Sequence, residues 1–222
     1  NFKSKLPTVR TTIFTIMSSL AKEHNALNLS QGFPDFESDP VLIELVSQAM
    51  KNGHNQYAPM MGVIELRTAI AQKFKELYQS SYSPEKEIVI TVGATQAIFT
   101  VISAFIHTND EVIIFTPAYD CYQPSVELQG GKVIPIQLQY PKNTIDWSLV
   151  EKSITSKTKM IIINSPQNPS GSIFSLSDMK RLEKITNNTD IIILSDEVYE
   201  HMIFDGKKHQ SICLFPELKK RS

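Results

Sequence analysis

The chain has 222 residues, enough for one large domain or for a domain with an appendage. Its 22 Lys and Arg are nearly balanced by 23 Asp and Glu, and neither sign runs in a long block. Nucleic-acid and membrane-surface proteins usually carry a basic patch or stripe, so the composition argues against both and indicates a small-molecule partner.

Neither a disulfide framework nor a zinc site is indicated, because Cys121 and Cys213 lie far apart and form no C-x-x-C pattern. The N-terminal residues contain no apolar signal-peptide core, and no stretch approaches the ~20 apolar residues that cross a bilayer. The sequence therefore predicts a soluble, cytoplasmic protein with no membrane partner and no metal.

Residues 1–38 differ from the rest of the chain. They contain one amphipathic helix, over residues 13–22, followed by the irregular segment "NLSQGFPDF". We predict that residues 1–38 are an N-terminal arm and part of a small domain, and that residues 39–222 belong to a larger domain.

Two further helices are predicted next in the chain. Asp39 is a capping residue before a first-turn proline, and Gly53 comes just past the last apolar position. A second apolar stripe at helical spacing runs from Leu66 to Leu77.

From residue 87 onward, short apolar runs alternate with helical stretches. The runs are about the length of buried strands: "EIVITVG", "EVIIFTP", "KVIPIQL", "KMIIINSP" and "DIIILSDE". The helical stretches between them are residues 95–104, 122–128, 147–154 and 178–186. This alternation predicts an α/β fold, with a mostly parallel sheet covered by helices on both faces. Ligands of such sheets bind at the carboxyl ends of the strands.

The segment "GATQAIF" follows the first run. Gly93 permits a tight turn, Ala94 is small, and Thr95 can cap a helix whose free N–H groups favour an anion such as phosphate. The segment is neither a P-loop nor G-x-G-x-x-G, and an ordinary strand-to-helix turn is the alternative.

Two later strand ends carry further candidates. Tyr119, in "PAYDCY", could lie against a flat ligand or simply close the end of the core. Asn168 lies in "NSPQNPSG", which holds two prolines and two asparagines in eight residues. The bond from Asn168 to Pro169 is one where the cis form costs only ~0.5–1 kcal/mol, although a plain loop has a similar composition.

The last apolar run ends in Asp196 and Glu197. An unpaired carboxylate at the end of a buried strand is costly, so we expect Asp196 to face a cation or several donors, with a structural helix cap as the alternative. A protonated ring nitrogen would serve as the cation. Glu197 should point elsewhere and be solvated or capping.

One ligand accounts for these positions together: pyridoxal 5'-phosphate. Its phosphate suits the turn at Ala94 and Thr95, its flat ring suits Tyr119, its phenolic oxygen suits Asn168 and Tyr199, and its ring nitrogen suits Asp196.

Six segments also occur in a familiar order: "NLSQGFPDF", "NQYAPMMG", "VGATQAI", "PAYDCY", "NSPQNPSG" and "SDEVYEH". Together they resemble the class I aminotransferases of pyridoxal-phosphate fold type I, and within them the methionine and kynurenine (glutamine transaminase K-like) branch. The resemblance covers essentially the whole chain. It implies that residues 39–222 are an incomplete pyridoxal-phosphate-binding large domain, and that the C-terminal half of the protein is absent from the chain.

The resemblance also implies roles for single residues. The cofactor-binding set would be Gly93, Ala94, Thr95, Tyr119, Asn168, Asp196 and Tyr199, with Tyr57 reaching the phosphate of the neighbouring subunit of a homodimer. Gly32 and Asn168 would bind the substrate.

The family's catalytic lysine and its substrate-carboxylate arginine have no match in the chain. None of Lys207, Lys208, Lys219 and Lys220 is placed like the family's lysine, so the aldimine lysine is expected beyond Ser222.

The function predicted from the resemblance is an aminotransferase of amino acid metabolism, which moves an amino group from methionine, glutamine or an aromatic amino acid to a 2-oxo acid. A fold-type-I β-lyase acting on cysteine conjugates and a non-enzymatic pyridoxal-phosphate-binding regulatory domain are the alternatives. A metal-dependent hydrolase built on Asp196, Glu197 and His201 is disfavoured, because these residues lack the spacing of zinc helices.

Overall fold

The structure is a computed structural model that describes residues 2–7, 9–32 and 34–222. It divides into two compact units, Thr8–Val63 and the combination of Asn1–Pro7 with Ile64–Ser222. The boundary expected after residue 38 concerns the domains of the whole protein and stays a prediction. Within the described residues, no helix is long and apolar enough to cross a membrane.

Within its described residues, the smaller unit contains two helices, α1 (Ile13–Glu23) and α2 (Pro40–Lys51). The Asp39 carboxylate caps α2 by accepting a hydrogen bond from the Val41 N–H at 2.8 Å, and Pro40 occupies the first turn. Both predicted helices are therefore confirmed, with the predicted cap at Asp39.

The larger unit contains six α-helices and four strands within its described residues. The helices are α3 (Ile64–Tyr78), α4 (Gly93–Phe105), α5 (Tyr122–Leu128), α6 (Trp147–Ser153), α7 (Leu176–Thr186) and α8 (Pro216–Lys219), with a short 3₁₀ helix at Ile212–Leu214. The strands are β1 (Glu111–Thr116), β2 (Lys132–Gln137), β3 (Thr158–Asn164) and β4 (Ile192–Asp196).

The four strands form one sheet in the order β2-β1-β3-β4, and every neighbouring pair is parallel. Alternate residues of each strand enter two separate cores. One core contains Ile113, Ile161 and Ile193 and packs against α6, α7 and the 3₁₀ helix; the other contains Val112, Met160 and Leu194 and packs against α4 and α5. The predicted α/β fold, with helices on both faces of a parallel sheet, is confirmed.

The strand predicted at "EIVITVG" is wrong for this structure. Residues 87–92 form no strand, and Val89 and Val92 are 58% and 89% exposed. A strand needs a neighbour with which to exchange backbone hydrogen bonds, and the sheet of the described residues contains only β1 to β4.

Candidate functional site

The connections that follow β1 and β3 open a cleft at the carboxyl edge of the sheet. Along the chain, β1 leads to β2 on one side, whereas β3 lies on the other side of β1. Such a reversal of strand order leaves a crevice where ligands of parallel sheets bind. The cleft here has a volume of about 260 Å³, and its lining consists of Val92, Gly93, Ala94, Thr95, Ile98, Tyr119, Asn164, Asn168, Asp196, Val198 and Tyr199. Every predicted cofactor-binding residue except Tyr57 therefore lines one cleft.

The first turn of α4 forms one wall of the cleft. The helix begins at Gly93, whose φ is +80°, and a β-carbon built there would meet nothing within 4 Å. The Val92 side chain makes no capping hydrogen bond. The Val92 N–H donates to Gln96 Oε1 at 2.6 Å and the Gly93 N–H to the Thr91 carbonyl at 2.9 Å, so the first-turn N–H groups left without an intrahelical partner are those of Ala94 and Thr95. Thr95 lies inside the first turn, and the expectation that it caps the helix is wrong. These two N–H groups, together with the positive end of the helix dipole, favour an anion.

Asp196 ends β4 and lines the cleft. Its Oδ2 accepts a hydrogen bond from the Tyr122 hydroxyl at 2.6 Å, and its Oδ1 accepts one from the Val198 N–H at 3.2 Å. The expectation of several donors is thus met. No helix begins here, so Asp196 is not a helix cap.

The end of β3 ties the loops of the cleft together. The buried side chain of Asn164 accepts from the Asn168 N–H at 2.7 Å and donates to the Asp196 carbonyl at 3.0 Å. Gln167, also buried, donates through its side chain to the Pro117 carbonyl in the loop after β1. The Asn168–Pro169 bond is cis. These contacts fix Asn168 relative to Asp196.

Tyr122 is a buried residue beneath the cleft that the sequence reasoning missed. Its ring lies edge-on to that of Tyr119, with centroids 6.0 Å apart. Burial, followed by the hydrogen bond to Asp196 and its charge, raises the pKa of the Tyr122 hydroxyl. Burial, and then the charges of Asp120 and Asp196, also raises the pKa of Cys121 to about 11.

The two glutamates of "DEVYE" do not line the cleft. Glu197 accepts hydrogen bonds from the Ser195 hydroxyl at 2.7 Å and the Ile212 N–H at 2.9 Å, and its Oε2 lies 2.8 Å from His209 Nε2. Glu200 accepts from Lys73 and Tyr78 of α3. The prediction that Glu197 points elsewhere agrees with this structure. Of its two expected roles, solvation is wrong, since the side chain is only 17% exposed, whereas capping agrees with the bond from the Ile212 N–H, the first of the 3₁₀ helix.

Two predicted residues belong to the smaller unit. Tyr57 is fully exposed, and Gly32 lies in an open position with nothing within 4 Å of an added β-carbon. Phe33, the next residue of the same motif, lies outside the described residues. The roles of Tyr57 and Gly32 stay predictions.

Among the described residues, the lining of the cleft contains no lysine. This holds for the four lysines considered above, Lys207, Lys208, Lys219 and Lys220. Lys219 donates to the Ser80 hydroxyl at 2.8 Å.

Asp196, Glu197 and His201 do not converge. Asp196 faces the cleft, Glu197 points away from it, and the His201 side chain is 67% exposed. Within the described residues, no group of three His, Cys, Asp or Glu side chains is arranged to hold a metal ion.

The chain is similar in sequence and structure to known proteins. The family model described as "Aminotransferase class I and II" matches residues 24–221. The chain belongs to this aminotransferase family. The resemblance identified from the sequence is confirmed.

Among the curated relatives of this aminotransferase chain is the methionine aminotransferase of Escherichia coli, 43% identical over 99% of the chain and 57% of the relative. Another is the kynurenine–oxoglutarate transaminase 1 of Mus musculus, 34% identical over 91% of the chain and 51% of the relative. The relatives thus include proteins named for methionine and for kynurenine, the two substrates that name the predicted branch. The chain spans about half the length of the curated relatives that it matches.

Solved structures agree with these relatives. An Escherichia coli protein for which a methionine aminotransferase function was identified has a TM-score of 0.95 at 42% identity, over 100% of this chain and 57% of its own. The N-succinyldiaminopimelate aminotransferase of Mycobacterium tuberculosis has a TM-score of 0.89 at 34% identity, over 94% of this chain and 55% of its own.

Proposed function

We propose that the whole protein is a pyridoxal-phosphate-dependent aminotransferase, a homodimer of the cytoplasm. It moves an amino group from methionine, glutamine or an aromatic amino acid to a 2-oxo acid. The observation that carries the proposal is the joint lining of one cleft by an uncapped helix N-terminus, a tyrosine ring, an asparagine amide and a strand-end carboxylate. Relatives named for methionine and kynurenine support the choice of substrates.

The chemistry of these groups fits pyridoxal phosphate. The first turn of α4, with Gly93, Ala94 and Thr95, would bind the phosphate, and Asp196 would pair with the protonated ring nitrogen. When bound, the cofactor serves as an electron sink for the charge that develops at the substrate α-carbon.

The remaining cleft residues orient the ring. Tyr119 would lie against the face of the ring, and Asn168 and Tyr199 would hold its phenolic oxygen. Asn168 has its backbone bonded to Asn164, so it would present its amide from a fixed position. A preorganised set of donors and charges of this kind needs no rearrangement when charge develops on the substrate.

The other proposed contacts come from the smaller unit. Tyr57 would reach the phosphate bound by the neighbouring subunit, and Gly32 would let the substrate carboxylate approach the backbone closely. The full exposure of Tyr57 leaves its hydroxyl accessible to such a partner.

Borohydride trapping tests the cofactor assignment. The whole protein should be yellow, lose this colour on borohydride treatment, and then carry a pyridoxyl group on a lysine outside these 222 residues. A pyridoxyl group mapped to Lys207, Lys208, Lys219 or Lys220, or to no lysine, would contradict it.

Substitution of Asp196 tests the site. Asp196→Ala should leave cofactor bound but reduce amino transfer by at least about 10²-fold, because the ring nitrogen loses its counter-charge. Asp190→Ala is the matched control, since Asp190 is an exposed aspartate just before the other end of β4. Ammonia released without added 2-oxo acid would indicate β-elimination instead.

A further inference from the structure

We propose that Tyr122 is a positioning residue, which fixes the carboxylate of Asp196 in the orientation needed to pair with a ring nitrogen in the cleft. This inference rests on the proposed function. It assigns a role to a residue that is buried in the core and was absent from the sequence-predicted site.

The contact itself is well defined. Tyr122 is the first residue of α5 and is 3% exposed, so its hydroxyl is shielded from bulk solvent. A buried tyrosine hydroxyl normally needs a hydrogen-bond partner. Here it donates to Asp196 Oδ2 at 2.6 Å, across 74 positions of sequence. Hydrogen bonds to ionised acceptors are shorter and stronger than those between neutral groups.

The backbone of Asp196 is already held by other contacts. Its carbonyl oxygen accepts from the Asn164 side chain at 3.0 Å and from the Ser165 N–H at 3.1 Å. What remains free is rotation of the carboxylate about its side-chain bonds. The Val198 N–H binds Oδ1 at 3.2 Å, and Tyr122 binds Oδ2, so the two donors together fix the carboxylate plane.

Tyr122 also contacts a second ring of the cleft. Its ring meets that of Tyr119 edge-on, at 6.0 Å between centroids and 71° between planes. One side chain therefore supports both the residue proposed to lie on the cofactor ring and the residue proposed to bind its nitrogen. Because burial raises the pKa of the Tyr122 hydroxyl above its ordinary value, the group stays a donor throughout the neutral pH range.

A double-mutant cycle on the whole protein tests the assignment, with Tyr122→Phe, Asp196→Asn and the pair. Phenylalanine keeps the ring in the core, and asparagine keeps the shape of Asp196. The measurements are the Kd for pyridoxal phosphate, from the absorbance of the bound cofactor, and kcat/KM for amino transfer. Tyr82→Phe is the control, because it removes the same atom from a tyrosine whose ring meets Phe74 and Lys219 rather than Asp196.

The effects of Tyr122→Phe and Asp196→Asn on cofactor binding should not be additive. Tyr122→Phe alone should raise the Kd for the cofactor several-fold, because the Asp196 carboxylate must then be oriented when the cofactor binds. About tenfold, the worth of a whole hydrogen bond to a charged group, is the upper limit, since this bond is already made without cofactor. In the Asp196→Asn protein, Tyr122→Phe should raise this Kd by less than about twofold, because the charged acceptor of the hydrogen bond is already gone. Tyr82→Phe should leave the Kd unchanged.

If Tyr122→Phe weakened cofactor binding equally in the wild type and in Asp196→Asn, or in neither, the role of Tyr122 would be overturned. The proposed function would remain intact. A wild-type protein that takes up no pyridoxal phosphate would instead overturn the proposed function, and this inference with it.

Discussion

Glu197 anchors the "DEVYE" segment to the body of the larger unit, and Glu197→Gln should destabilise the protein. Glutamine keeps the shape and one oxygen, which can still accept from Ser195 and Ile212. Its amide nitrogen, however, would face His209 Nε2, now 2.8 Å from Glu197 Oε2. His209 cannot easily adapt by shifting its proton, because its Nδ1 is buried and has no partner among the described residues.

The expected cost is about 2 kcal/mol, the typical contribution of one hydrogen bond to a charged group. The His209 side chain is only 6% exposed, so water cannot replace the lost bond. This loss is a large part of the typical free energy of unfolding of a folded protein, about 5–15 kcal/mol.

Urea unfolding of the whole protein without added cofactor measures this cost. With a slope of about 3 kcal/mol per molar urea, a loss of 2 kcal/mol moves the midpoint down by about 0.7 M. The matched control is Glu217→Gln, which breaks an exposed pair with Lys220 and should cost at most about 0.5 kcal/mol. If Glu197→Gln moved the midpoint no further than this control, the anchoring role of Glu197 would be refuted.

Three further outcomes follow from burial and charge. Burial alone would raise the pKa of Glu197, but its hydrogen bonds lower this pKa below the ordinary 4.5. The stabilising effect of the carboxylate is therefore complete above pH 4.5 and is lost as pH falls through the lower pKa of the folded state, so the urea midpoints of wild type and Glu197→Gln should converge on acidification below pH 4.5. Gly131→Ala should lower the thermal midpoint, at a cost of about 1–3 kcal/mol, because the added methyl would lie 2.7 Å from Ile106 Cγ2. Cys121 should react with iodoacetamide far more slowly at pH 8 in the native protein than in urea, because burial and neighbouring carboxylates raise its pKa to about 11; equal rates would contradict this.

Much of the fold could be predicted because burial repeats with the period of each element. The run "EVIIFT" corresponds to β1, and the helix predicted over residues 122–128 is α5 with the same bounds. The run at residues 87–92 was misassigned because hydrophobicity indicates burial, whereas a strand also requires a neighbour, which the described part of the sheet does not offer.

The candidate site could be predicted in part for a related reason. Parallel strands end at one edge of the sheet, so the residues after each run were expected to converge, and Tyr119, Asn168 and Asp196 do line one cleft. Tyr122 and Asn164 were missed because both are buried and read as core. A polar Asn closing the all-apolar run "KMIIIN" was the available signal, since a buried amide must find partners.

The partners of Glu197 and Glu200 could not be found in the same way. His209 comes from a later loop, and Lys73 and Tyr78 come from a helix more than a hundred positions earlier in the chain. No short pattern links residues so far apart, and only the folded chain brings them together.

The "DEVYE" segment thus serves two sets of partners, because Asp196 and Tyr199 line the cleft while its glutamates bind residues elsewhere. This arrangement matters for genetics. A selection that scores amino transfer should recover loss-of-function alleles at Lys73, Tyr78 and His209, although none of the three lines the cleft. Such alleles would be suppressed by changes that stabilise the segment, whereas alleles of Asp196 would not.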